Sequence, residues 1–255
     1  MITVKNLEIK NPNFTNPPTE ITLKTPLTIL AGANGSGKST LLRAIKNAVK
    51  KSYKNKTDRY HFNDVYDFDP TDGLNKILDV VNPKKSWDKP KAIIAKFDGY
   101  STNDFHQMLG LAMSVEHMSI NRLKYSEGQL RLIDTKRFFN LIHEAHNSDP
   151  SIPFFIFLDA VDSGLSPDLA YQLRQMIINF VKSHKNIHIL TTANTFELLN
   201  SYQFTSISKD VTIIDVNTQK SINELINEYE DYFDYCSSHS TFDERVVDAE
   251  SVIYK

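Results

Sequence analysis

The chain is poor in cysteine: Cys236 is the only one in 255 residues. No disulfide can form within it, and the expected setting is the reducing cytoplasm. Charge of one sign is equally scarce. The 29 Lys and Arg nearly balance 31 Asp and Glu, for a net charge of -2, so overall charge selects neither for nor against nucleic acid and only a local patch could. Long hydrophobic runs are missing too. None approaches the roughly 20 residues that a membrane span requires. The opening Met1-Ile2-Thr3-Val4-Lys5-Asn6-Leu7 alternates like a strand instead of forming a signal-peptide core, so no direct membrane insertion is expected. No stretch sustains several heptads, which excludes a long coiled coil. The length suits one α/β domain, or one domain with an inserted lobe, and leaves ample chain for a core.

What is present is concentrated at Gly32-Ala33-Asn34-Gly35-Ser36-Gly37-Lys38-Ser39-Thr40. The apolar run 27–31 leads in and Leu41-Leu42-Arg43-Ala44-Ile45 leads out, which reads as strand, phosphate loop, helix. Gly32, Gly37, Lys38 and Ser39 stand at the spacing G-x-x-x-x-G-K-[ST], in the context that this motif requires. Glycines without a Cβ let backbone N–H groups turn inward around phosphate oxygens, and the helix N-terminus adds the positive end of its dipole. Lys38 would reach the β- and γ-phosphates, and the Ser39 hydroxyl would ligate Mg2+. The expected nucleotide-binding set is Gly32, Asn34, Gly35, Ser36, Gly37, Lys38, Ser39 and Thr40. An ordinary glycine-rich turn before a helix is the plain alternative, and the full motif in its context argues against it.

Along the chain, Ile2, Val4, Leu7 and Ile9 suggest an edge strand, 11–18 a loop rich in Asn and Pro, and 21–23 a second strand. The helix after Lys38 is expected to end near residue 50. Residues 51–91 show weak periodicity and the breakers Pro83 and Pro90, and read as an irregular insertion holding one helix at 74–81. A short buried strand at 92–95 and an amphipathic helix at 105–120 follow. Arg43, Lys46, Lys50, Lys51, Lys54, Lys56 and Arg59 are interleaved with Tyr53, Tyr60 and His61. That cluster suits phosphate contact and base stacking, and equally suits a solvated helix end whose cations face the dipole.

Ser126-Glu127-Gly128-Gln129 opens a helix, with Ser126 as its N-cap. Pro153-Phe154-Phe155-Ile156-Phe157-Leu158-Asp159 is then an apolar strand ending in a carboxylate. In a parallel sheet such a residue lies beside the phosphate loop, where Asp159 could hold Mg2+ opposite Ser39. The loop 162–166 precedes a helix that starts at Pro167 with Ser166 as cap. A strand at 187–191, a helical turn at 196–200 and a last strand at 211–215 complete the order. From about residue 221, Glu224, Glu228, Glu230, Asp231 and Asp234 mix with Leu225, Ile226, Tyr229, Tyr232 and Phe233. This tail reads as an amphipathic helix with an acidic outer face, better placed on its own domain than on a partner.

Taken in order, the phosphate loop, Ser126-Glu127-Gly128-Gln129, the strand ending Leu158-Asp159 and the loop Asp162-Ser163-Gly164-Leu165-Ser166 resemble the Walker A, signature, Walker B and D-loop elements of an ATP-binding-cassette (ABC-type) ATPase. The resemblance covers residues 1–216. It is nearer to the soluble SMC/Rad50/RecF-like and overcoming-lysogenisation-defect-like branch than to transporter subunits. It implies an α/β P-loop NTPase fold, an ABC-type head with a mostly parallel core sheet, an antiparallel β subdomain and a helical signature lobe. Residues 51–125 would hold the insertion and lobe, and 217–255 an acidic helical tail.

The resemblance further implies ATP and Mg2+ as cofactors and a head-to-tail homodimer on ATP binding, in which Ser126, Gly128 and Gln129 of one copy touch the nucleotide held by the other. A DNA or protein partner would read the nucleotide state, in a DNA maintenance, defence or counter-defence role. Gln107 is the candidate for the glutamine that senses Mg2+ at the lobe junction. Two positions depart from the family pattern. Where the family places a glutamate directly after the Walker B aspartate to activate water, this chain has Ala160, and the switch histidine position falls on Ala193 or Asn194. Losing a general base costs about 10² to 10⁴ in rate, so ATP binding is expected to survive while hydrolysis is weak. The alternatives are an ATP-gated interaction protein with negligible hydrolysis and the energising subunit of a membrane transporter. A small-molecule P-loop kinase is disfavoured by the signature and D-loop.

Overall fold

The computed structural model describes residues 2–9, 17–53, 64–70, 73–85, 88–98, 125–200, 210–218, 222 and 228–238. Six strands form one parallel sheet. Toward one side of it, β3 (Leu27–Ala31) lies between β7 (Ile187–Thr192) and the outermost strand β8 (Val211–Asp215). Beyond β7 come β6 (Phe154–Asp159), β5 (Ala92–Asp98) and the edge strand β4 (Val65–Phe68), which gives the order β4-β5-β6-β7-β3-β8. A second, two-stranded antiparallel sheet joins β1 (Ile2–Lys5) to β2 (Glu20–Leu23).

Strands covered on both faces need apolar residues at consecutive positions, not at every second one. β6 meets that demand with Phe154, Phe155, Ile156, Phe157 and Leu158, all buried, and their alternation divides them between two cores. Phe154, Ile156 and Leu158 pack with α2 (Gly73–Val81), α3 (Glu127–Ser148), α4 (Pro167–Ser183) and the short α5 (Phe196–Leu199). Phe155 and Phe157 pack with α1 (Lys38–Tyr53) and the antiparallel sheet. Each fully buried Leu, Ile or Phe contributes about 1.5–3 kcal/mol, so both faces of the sheet are pinned.

α1 presents Leu41, Leu42, Ile45, Ala48 and Val49 to the second core at helical spacing. Its far end is tied down by the Tyr53 ring on Phe155, with centroids 5.7 Å apart. Lys50 pairs there with Asp67 of β4 and Lys51 with Glu8 beyond β1, each at 2.6 Å.

The structure differs from the sequence reading in three places. Val65-Tyr66-Asp67-Phe68 is an edge strand of the core sheet, in register with Ala92 to Ala95, not part of an irregular insertion. Only four residues long and interrupted by Asp67, it carries too little alternation to be seen. β5 extends to Asp98, past the end expected at residue 95. Ser166 occupies the N-cap position of α4, but its hydroxyl makes no bond to the helix backbone and instead bonds the exposed Asp168 carboxylate, holding it below the usual range. The helix read at 105–120 and the residues Gln107, Lys54, Lys56, Arg59, Tyr60 and His61 lie outside the described residues. From the tail, α6 (Tyr229–Ser238) is described, and it packs on its own domain with Glu230, Asp231 and Asp234 exposed.

Candidate nucleotide-binding site

A parallel sheet gathers the C-terminal ends of its strands along one edge, and ligands bind in the crevice outside them. Here that edge carries Ala31 of β3, Asp159 of β6, Thr192 of β7 and Asp215 of β8. Residues 32–37 loop from β3 to α1, with left-handed backbone at Gly35 and Gly37 (φ 81° and 94°) that a residue with a Cβ rarely adopts. A Cβ at Gly32 would run into the Ser36 side chain. The Ser36 hydroxyl is itself buried with no partner among the described residues. A loop with its glycine closed up on an orphaned buried hydroxyl fits the phosphate cradle that the sequence motif describes.

Lys38, the first residue of α1, is 7% exposed. Its ammonium donates to the Gly32 carbonyl at 2.7 Å and to the Ala33 carbonyl at 3.2 Å. Burial pulls its pKa below the ordinary lysine range, opposed by the fields of Asp162, Cys236 and Asp159. The next residue closes the longest link in the site. Ser39 Oγ donates to Asp159 Oδ1 at 2.8 Å, across 120 residues of sequence. The same Oδ1 accepts from Thr192 Oγ1 at 3.1 Å, and Thr192 Oγ1 in turn accepts from the Ala160 N–H at 2.8 Å.

Ala160 is 3% exposed and holds left-handed backbone, φ 52°. Ala193, 1% exposed, is spent on backbone pairing, its N–H donating to the Leu30 carbonyl at 3.0 Å. The polar group at the switch position is therefore Asn194, and it faces the D-loop. Asp162, wholly buried, accepts from the Asn194 N–H at 2.7 Å, the Asn194 Nδ2 at 3.1 Å, the Thr195 N–H at 2.9 Å and the Thr195 hydroxyl at 3.1 Å. Burial pushes the Asp162 carboxyl above the usual range although four donors point at it. Asn194 Nδ2 also reaches Ser163 Oγ at 3.0 Å.

The signature residues stand at the free end of α3. Ser126 and Gln129 form a capping box: Ser126 Oγ accepts from the Gln129 N–H at 3.3 Å and Gln129 Oε1 accepts from the Ser126 N–H at 2.8 Å. Both are exposed, whereas Gly128 is buried against Leu165 and Leu169. One turn on, Arg131 donates to the Ser163 carbonyl and pairs with Glu127 at 2.8 Å. Thus Lys38, Ser39, Asp159, Ala160 and Thr192 form one group, Ser126, Gly128 and Gln129 sit with the D-loop, and Asp162 with Asn194 connects the two.

The basic cluster divides. Lys50 and Lys51 are paired to acids, and Tyr53 is a packing residue. Arg43 and Lys46 instead line a cleft of 190 Å³ beside Ser39, Phe157 and Asp159, together with Lys96, which pairs with Asp98 at 3.1 Å. The sequence reading missed Thr192 and Arg131. Neither belongs to a local pattern; a Thr at the end of a buried strand and an Arg one turn into the signature helix are the only signals.

The AAA domain family (AAA_23) matches residues 6–244. The chain belongs to this family of SMC/Rad50-like P-loop ATPases. No curated protein matches this AAA-domain chain. Among solved structures it is similar to one described as a metal-chelate type ABC transporter in an inward-facing conformation, with 20% identity, 91% of this chain and 87% of the other covered, and a TM-score of 0.39. It is also similar to a nucleotide-free ATP-binding cassette from an ABC transporter, with 17% identity, 97% of each chain covered and a TM-score of 0.38. The expected P-loop fold is the one found, with its parallel core sheet and separate antiparallel sheet. Among the described residues no helix is long and apolar enough to cross a membrane.

Proposed function

We propose that this AAA-domain protein binds ATP with Mg2+ on the 32–40 loop, and that two copies close head to tail around two nucleotides. Ser126, Gly128 and Gln129 of each copy then complete the site of the other. The observation that carries the reading is the Ser39–Asp159 hydrogen bond beside the buried Lys38. A hydroxyl and a carboxylate 120 residues apart in sequence meet there at bonding distance, on the edge where ligands of parallel sheets bind. These two side chains would hold Mg2+, with Gln107 as the third candidate from the sequence, and the ion would supply positive charge for phosphate oxygens. Lys38 rests on two backbone carbonyls, partners that a phosphate oxygen outbids because a charged acceptor makes the stronger bond.

The dimer reading is supported by the placement of Ser126 and Gln129, exposed and preset by the capping box, next to a D-loop that Arg131 and Asn194 hold from both sides. Catalysis is where the site is poorest. The Ala160 methyl cannot accept a proton from water, and Ala193 offers no side-chain donor. ATP then serves more as an assembly signal than as fuel, and the bound state outlasts what a competent base would allow. That makes an ATP-gated interaction protein with negligible hydrolysis the second reading. The partner is a nucleic acid or a protein inside the cell; Arg43, Lys46 and Lys96 supply cations for the first.

Light scattering of the full chain with and without ATP and Mg2+, together with equilibrium ATP binding, tests this. The expected result is a mass that doubles only with ATP and only when Lys38 is intact. An unchanged mass with ATP bound removes the dimer, and equal ATP affinity in Lys38→Ala removes the site itself.

A further inference from the structure

The helix α6 lies where the nucleotide site opens. Tyr232 and Tyr235 are three residues apart and so share one helix face. The Tyr232 hydroxyl donates to the Asn194 carbonyl at 2.7 Å, just past β7, and the Tyr235 hydroxyl donates to Asp215 Oδ1 at 2.9 Å, at the end of β8. β3 lies between those two strands. A helix fastened to both neighbours must cross above the C-terminal end of β3, where the phosphate loop begins.

Other contacts agree. Tyr229 and Tyr232 pack on Phe196 with ring centroids 5.8 and 5.9 Å apart. One turn after Tyr232, Cys236 stands within electrostatic reach of the Lys38 ammonium. The outer face carries Glu230, Asp231 and Asp234, and the helix has no basic residue. A polyphosphate approaching this mouth meets a carboxylate-bearing helix before it meets Lys38.

We propose that α6 is a displaceable strap, an intramolecular occupant of the nucleotide face that competes with ATP and with the second copy of the chain. This rests on the nucleotide reading above and adds its regulation. The strap's hold is modest by construction: each phenolic hydrogen bond is worth a factor of about 2 to 10 in the closed-to-open equilibrium, so ATP binding can reverse it. Apparent ATP affinity is then reduced by the fraction of molecules in which the strap is away.

Because Cys236 is the only thiol of the chain, its rate of modification by a small maleimide reports the strap in the full-length protein. ATP with Mg2+ is expected to raise that rate at least about fivefold. Tyr232→Phe/Tyr235→Phe keeps both rings, and should raise the rate about tenfold without nucleotide while tightening ATP binding by a similar factor. Tight ATP binding with Cys236 labelled no faster, or protected, would overturn the proposal and make α6 a fixed wall of the site. So would a double variant that binds ATP no better than the parent. Failure of the nucleotide reading looks different: parent, double variant and Lys38→Ala would all bind ATP equally poorly.

Discussion

The two edges of the parallel sheet hold their polar groups in different ways. At the N-terminal edge a partly exposed run of side chains satisfies itself. His143 Nδ1 lies 2.7 Å from His184 Nε2, His184 Nδ1 lies 2.8 Å from the Phe180 carbonyl, and Asn147 Nδ2 lies 2.9 Å from His143 Nε2. A carbonyl only accepts and an amide NH2 only donates, so one run of donors leads from Asn147 through the two rings to the Phe180 carbonyl. His146 adds a bond to the Lys185 carbonyl at 2.6 Å, while His146 Nδ1 and His188 Nδ1 are buried with no partner among the described residues. At the C-terminal edge the groups are held in reserve: Lys38 sits on carbonyls that a phosphate can replace, and Ser36 Oγ has no partner among the described residues. The unpartnered buried atoms of one edge belong to imidazole rings, and at the other edge the Ser36 hydroxyl sits in a loop shaped for a phosphate.

The largest test of that contrast is chemical. Ala160→Glu should raise ATP hydrolysis by about 10² to 10⁴, read as phosphate release, because it gives the reserved edge the base that it lacks. No change would move the block to Ala193 and Asn194. Next in size is Asp162→Ala, which strips the acceptor from four donors in a fully buried position and should cost about 3 kcal/mol in denaturant unfolding. A loss under about 1 kcal/mol would show that water replaces the carboxylate and that the D-loop is not anchored there.

The N-terminal edge has its own signature in pH. Burial holds His146 and His188 below the ordinary histidine range, His146 against the pull of the Lys185 carbonyl and Asp149 and with the fields of His143 and His184. Both folded pKa values are depressed, so the unfolded chain takes up protons first. Stability is complete above about pH 6.5 and falls as pH drops from there toward the folded values. His146→Gln keeps a donor for the Lys185 carbonyl and removes one titration. The slope of Tm below pH 6.5 should flatten, and an unaltered slope would assign the acid limb elsewhere. The smallest effect is Ala160→Gly. Left-handed backbone at φ 52° favours glycine, so stability should rise by about 0.5–1 kcal/mol; a loss would mean that the buried methyl packs better than it strains.

Much of this edge is legible in the residues alone. The phosphate loop, Asp159 at the end of an apolar strand, the Ser126 cap and Pro167 at a helix start are each written within a few neighbouring positions, where spacing and propensity act. The edge strand β4 is not, because four residues with Asp67 inside them hold too few alternations. Nor are the roles of Thr192, Arg131 and Tyr232. Their partners lie 33, 32 and 38 residues away, and no local periodicity encodes which strand end a hydroxyl or guanidinium will meet. The acidic tail is readable as a helix and as packed on its own domain, but its crossing above β3 depends on strand order, which only the assembled sheet displays.

The first helix gives the molecule its mechanics. α1 has 16 residues and so measures about 24 Å. It begins at Lys38 in the phosphate loop and ends at Lys50, Lys51 and Tyr53, which grip the edge strand of one sheet, the approach to the other and the core between them. Packed on the second core along its length and held at the far end by its ring contact, the helix is a continuous rod between that end and the loop. Through this one helix the phosphate loop is tied to the segments that carry Asp67 and Glu8, at the far end of the same rod.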